Sequence, residues 1–177
     1  DGPHYMGAIV IFLFVLGLIV VKGREKWWLL AATVLSVMLS WGKNFMPFTN
    51  LFIDFFPGYN KFRAVTMTLV IAQFCIPLLG ILALRNYMNG ILPKKALMNG
   101  LKTATGITGG ILLLVMVFPA IAGSFLNPME TEFPDWLKTA LVSDRKGLLR
   151  TDSFRSLLFV LLGAGTLLAF VMGKLKK

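Results

Sequence analysis

The chain has 177 residues, of which 56% are hydrophobic and 15% charged, and its mean hydropathy is +0.76. A soluble domain of this size has too little interior to hide so much apolar surface, so the composition excludes an ordinary soluble domain and points to helices that face lipid. A net charge of +10 would suggest nucleic acid in a soluble protein, but here the charge sits in short segments between apolar runs and reads as membrane topology, with no nucleic-acid partner.

The chain opens Asp1-Gly2-Pro3-His4 and lacks a signal peptide's order of basic stretch, apolar core and small-residue cleavage site. It therefore reads as a fragment of a longer membrane protein, a single membrane-embedded region over 1–177. Five apolar runs follow, at 5–21, 27–41, 64–84, 103–123 and 154–173. Each approaches the roughly 20 residues that cross about 30 Å of hydrocarbon. The second is short, but tryptophans bracket it at Trp27 and Trp41, where aromatic belts sit. The expected fold is an all-α polytopic transmembrane bundle of about five spans, with two interfacial helices on the outer face.

Lys/Arg bias sets the expected orientation. Segments 22–26, 85–102 and 174–177 hold Lys22, Arg24, Lys26, Arg85, Lys94, Lys95, Lys102, Lys174, Lys176 and Lys177 against one acid, Glu25. The other side mixes basic residues with Asp1, Asp54, Glu130, Glu132, Asp135, Asp144 and Asp152. The basic side is read as cytoplasmic, with the N-terminus outside and the C-terminus inside a bacterial cytoplasmic membrane.

Two outer segments are patterned beyond what a connector needs. In 42–63, Phe45, Phe48, Phe52, Phe55, Phe56 and Tyr59 recur every three to four residues, a helical stripe. Pro47 suits an early helical position and Pro57-Gly58 a stop, so an interfacial helix is expected over 47–56, with Asn50 and Asp54 on its polar side. In 124–153, Asp135 is a candidate N-cap for a second amphipathic helix carrying Trp136, Leu137, Ala140 and Leu141. Asp144-Arg145-Lys146-Gly147 is expected to interrupt that helix, and Thr151-Asp152-Ser153 to cap the fifth span. Gly106 with Gly110, and Gly163 with Gly165, read as close helix packing, and Pro77 and Pro119 as kinks.

The spans carry no ionisable residue at mid-depth; Thr68, Gln73 and Cys75 are the most polar groups of the third. Gln73 reads as an interhelical hydrogen bond. Ion pumps and proton-coupled transporters usually place charged groups inside the bundle. The lone Cys75 and lone His4 exclude a disulfide or a Cys/His metal cluster within the chain. The most informative segment is Tyr59-Asn60-Lys61-Phe62-Arg63. With Asn60 as N-cap, Lys61 and Arg63 fall in the first turn of span three, where the helix dipole disfavours cations. An anion such as a phosphate would reconcile them with that position; snorkelling to lipid headgroups is the alternative. Lys43 follows the C-terminal end of span two, where the dipole favours a cation anyway. Asp54 reads as a polar-face residue, a partner for Lys43 or Arg63, or an acid/base group. Asp144-Arg145-Lys146 and the run from Arg150 to Arg155 read as a solvated face and caps.

Three segments, Trp41-Gly42-Lys43-Asn44-Phe45, Phe56 to Arg63, and Asp144 to Arg155, resemble the YfhO family of large bacterial membrane proteins, in its Bacteroidetes form. The resemblance runs from the first span to the fifth. It implies a GT-C-like architecture and transfer of a sugar from a polyprenyl-phosphate carrier to a cell-envelope polymer outside the membrane. In such enzymes an acidic residue of an early external loop acts near the acceptor or a metal; no such loop is present here, so no catalytic base is carried over. Lys61 and Arg63, with Asn60 and Tyr59, match the phosphate-handling position in kind, with Lys43, Asn44 and Asp54 in support. No cofactor is identifiable, and a divalent metal would belong to the rest of the full-length protein. A lipid or amphiphile transporter or flippase, or a non-enzymatic subunit of an envelope complex, are the rival readings.

Overall fold

Hydrocarbon offers backbone N–H and C=O groups no water, so an apolar chain of this kind satisfies them within helices. The computed structural model describes residues 5–42, 46–55, 65–127, 130 and 132–174, and among them there is no strand. Six α-helices follow in order: α1 Ala8–Val20, α2 Glu25–Ser40, α3 Met46–Phe55, α4 Leu69–Met88, α5 Lys94–Val117 and α6 Asp135–Val171. Short 3₁₀ turns occupy Val65–Thr68 and Pro119–Ala122. The all-helical bundle is as expected. Three helices, α4, α5 and α6, are long and apolar enough to cross a membrane, while α1 is a shorter apolar helix. With 13 and 16 residues, α1 and α2 fall short of the roughly 20 residues that cross the hydrocarbon.

The helices alternate in direction, which gathers the chain's features at two ends. Gly100 of α5 meets Val20 at the C-terminal end of α1, and Gly109 of α5 meets Leu157 of α6. Tyr87 at the end of α4 donates its hydroxyl to Leu97 O at 2.6 Å, pinning the turn into α5. One end therefore carries the turns at 21–24 and 89–93 and the close of α6. Here Lys22, Arg24, Lys26, Arg85, Lys94, Lys95 and Lys174 collect, as the charge pattern implied. The opposite end carries Tyr5, α3, the turn at Val65–Thr68 and the segment 118–134.

At the centre stands α1. Phe12 and Leu16 are fully buried, and they join Leu79, Ala83, Leu101, Ala104 and Val160 in one core built from α1, α4, α5 and α6. Backbones approach closely where glycine omits a side chain. A Cβ on Gly17 would lie 2.7 Å from the carbonyl oxygen of Leu79, and one on Gly80 would lie 3.0 Å from Leu13 Cβ. A Cβ on Gly100 would meet Val20 at 2.7 Å. The glycines expected to pack do not: Gly106, Gly110 and Gly165 have open space where a Cβ would point, and Gly163 only grazes Phe12 at 4.0 Å. Glycine spacing alone cannot tell which face of a helix meets a neighbour, and here the crossing faces belong to Gly17, Gly80 and Gly100.

A polar clasp joins α2 to α4. The Ser36 hydroxyl donates to Thr68 O at 2.6 Å and accepts from the Ala72 N–H at 3.3 Å. Ser36 and Thr33 are both buried. This small-residue face of α2 is what lets a moderately apolar helix pack in a bundle.

Three further expectations are corrected. Span four begins earlier than 103: α5 starts at Lys94, led in by the extended Pro93, whose carbonyl accepts from the Ala96 and Leu97 N–H groups. Pro119 does not kink a helix; α5 has already ended at Val117, and Pro119 opens the 3₁₀ turn. Most consequential, the second amphipathic helix and the fifth span are one helix of 37 residues. Asp144, Arg145 and Lys146 are polar-face residues of an uninterrupted helix, and a single interior Gly147 costs only about 1 kcal/mol. Thr151, expected as a cap, instead donates back to Gly147 O at 3.0 Å, and Ser153 is buried. At 1.5 Å per residue α6 is about 55 Å long, roughly 25 Å more than the hydrocarbon core.

Gly17→Leu should force α1 away from α4 and destabilise the bundle by roughly 1–3 kcal/mol, while Gly106→Ala should not. Thermal unfolding of both variants in detergent measures the difference; equal losses would contradict the placement of the crossing.

Candidate functional site

Among the described residues the ion pairs, Glu130 with Arg145 and Asp135 with Lys138, lie at the end opposite the basic turns. There α5 stops, and Gly123 takes a left-handed φ of 105° that turns the chain back towards α6. The segment is then stapled to the helix. Arg145 donates from Nη1 to Glu130 Oε2 and from Nη2 to Glu130 Oε1, both at 2.7 Å, and again from Nη1 to Phe125 O at 2.6 Å. The Asn127 N–H donates to the same carboxylate at 2.9 Å. Lys146 adds its ammonium at 5.8 Å from the Phe125 ring centroid. A bidentate guanidinium–carboxylate pair fixes both direction and distance. Its hydrogen bonds from Arg145, followed by the Asn127 N–H, hold the Glu130 carboxyl down at about 2.

Around the staple lies an open cleft of about 670 Å³, lined by Ser124, Asn127, Glu130, Arg145 and Asp152 among others. Asp152 also borders a second hollow of about 360 Å³ with Tyr5, Arg155, Ser156 and Phe159. Tyr5 and Ser156 in turn border an apolar groove of about 270 Å³ between α1, α5 and α6. The three hollows are thus linked through shared residues, from a polar mouth to an apolar floor.

The Arg145 guanidinium gives both terminal nitrogens to the segment it holds, which assigns it to shaping the cleft. Asp152 and Arg155 are exposed and line the second hollow. These can bind and orient a polar group. Among the described residues no three His, Cys, Asp or Glu side chains come close enough to hold a metal.

Of the residues assigned to the phosphate site in the sequence, only Asp54 is described. It sits exposed on α3 beside exposed Asn50, as the polar-side reading has it. The face of α3 turned to the bundle carries Thr49, whose hydroxyl donates to Gly42 O at 2.9 Å, and the half-buried Phe52. Lys43, Asn44, Tyr59, Asn60, Lys61 and Arg63 lie outside the described residues. The expected start of span three is corrected: regular α-helix begins at Leu69 with Thr68 as its N-cap, after the turn at Val65–Thr68, so Asn60 does not cap α4 and positions 61 and 63 are not in its first turn. Gln73 lies on the exposed side of α4. The Glu130–Arg145 staple is not foreseen by the sequence reading, which gives Arg145 to a solvated face; no local spacing rule links partners fifteen residues apart across a turn. No protein-family model matches the chain, and comparison with curated proteins and with solved structures finds no similar one.

The staple makes the segment's attachment depend on pH. A carboxyl at about 2 in the fold, against 4.5 ordinarily, adds stability that is complete above about 4.5 and lost as pH falls towards 2. Pepsin should therefore nick the wild-type segment 118–134 increasingly as pH drops through that window. Glu130→Gln should be nicked faster than wild type at every pH above it, by chymotrypsin at neutral pH as well; equal cleavage of the two proteins would contradict the staple.

Proposed function

We propose that this chain is the helical membrane part of a lipid-linked-sugar glycosyltransferase, working at the membrane face opposite its basic turns. The observation that carries the reading is the location of the segment Asp144–Arg155. That segment carries part of the resemblance to the YfhO family, and its Arg145, Asp152 and Arg155 border the linked hollows at one end of the bundle. The buried polar side chains described within the bundle are the neutral Thr33, Ser36, Thr49, Thr108 and Ser153. Uncharged helices with polar groups gathered at one face suit chemistry on an amphiphile whose headgroup stays at the surface.

In this proposal the basic end faces the cytoplasm of a bacterial inner membrane, so the hollows face outward, where an envelope polymer would accept the sugar. A polyprenyl phosphate would lie with its chain among the helices and its phosphate at the face. Lys61 and Arg63, with Tyr59 and Asn60 beside them in sequence, supply the positive charge that stabilises the phosphate as it leaves the sugar. The described residues are a poor fit for a divalent ion, so no step runs through a metal. No residue of this chain is assigned as the catalytic base.

Lys61→Ala together with Arg63→Ala in the full-length protein should lower transfer from a polyprenyl-phosphate sugar by about 100-fold or more. Unchanged transfer in the double variant would refute the role of these two cations.

A further inference from the structure

An apolar groove lies between α1, α5 and α6, next to a hollow that holds a cation. The groove's walls are Ala8, Ile11 and Val15 from α1, Ile111 and Leu112 from α5, and Val160 from α6. The hollow above it holds Arg155, with Tyr5 and Ser156 common to both spaces. Among the described residues Arg155 forms no ion pair, although Asp152 borders the same hollow. Its guanidinium stands 5.8 Å from the Phe159 ring centroid, which steadies it.

The lining narrows the occupant. The groove of about 270 Å³ is walled by apolar side chains, with only the hydroxyls of Tyr5, Thr108 and Ser156 among them, so it favours an apolar chain over a polar or charged one. From Asp152 to Val160 along α6 is eight residues, about 12 Å at 1.5 Å per residue. That depth lies within one leaflet of a hydrocarbon core about 30 Å thick. A single hydrocarbon chain fits the groove, and an anionic headgroup complements the arginine above it.

We propose that the groove binds an anionic phospholipid, with one acyl chain along α1, α5 and α6 and its phosphate on Arg155. The site uses none of the residues Tyr59–Arg63 and does not require the transferase reading, although Arg155 also borders the hollows that reading invokes. The Tyr5 and Ser156 hydroxyls supply further hydrogen bonds to the headgroup, and the groove floor excludes water from the chain.

The test is retention of added lipid by the purified chain in detergent, counted by native mass spectrometry. Phosphatidylglycerol, phosphatidylcholine and free glycerol phosphate are the three probes. One phosphatidylglycerol should be retained about tenfold more tightly than phosphatidylcholine, as one charge-assisted contact allows, and glycerol phosphate not at all. Arg155→Gln should abolish the preference, and Ala8→Phe, which fills the groove, should weaken both lipids. Both variants are first shown to melt like wild type. Equal retention of the two lipids by wild type, undiminished preference in Arg155→Gln, or binding of glycerol phosphate alone would overturn the proposal.

Discussion

Everything in this molecule hangs on how near α1 comes to its neighbours. Where Gly17 crosses α4, the Leu79 carbonyl occupies the place a side chain would need, 2.7 Å from a notional Cβ. In lipid there is little hydrophobic gain in bringing apolar helices together, so close backbone packing and dispersion do the work. The crossing lets Phe12 and Leu16 reach full burial between four helices. The same position of α1 leaves the groove against α5 and α6 on its other side.

The long α6 extends this core into functional territory. Its second half packs on α5 and α1 through Val160, Ala164 and Val171, while its first half stands beyond the core and takes hold of the segment 118–134. One rigid element therefore carries both the Arg145 staple and Arg155, two and a half to three turns apart. A broken helix, as the charge run suggested, would leave these two positions free to move relative to each other.

Hydropathy made the helical class and the positions of α1, α2 and α4 legible, because apolar runs of these lengths have few other solutions in lipid. Lys/Arg placement made the two ends legible, and aromatic spacing with Pro47 and Pro57 gave α3 within a residue. The misplaced glycines and the missed staple share one cause: they concern relations across space. Gly106 and Gly17 look alike in the chain, and only the neighbouring helix decides which is indispensable. Likewise Arg145 reads as a solvated charge until Glu130 is brought back to it. Ser36 had a faint signal, since Thr33, Ser36 and Ser40 mark one face of an otherwise apolar helix.

The most direct measurement is a cross-link at the helix crossing. With Cys75 replaced by alanine, cysteines at positions 13 and 80 would have their Cβ atoms near 3.0 Å apart, slightly inside the usual disulfide range, and mild oxidation in membranes should join α1 to α4 in most molecules. Failure of that pair to cross-link, with ready linkage of a control pair at positions 106 and 13, would show that α1 does not occupy the centre of the bundle.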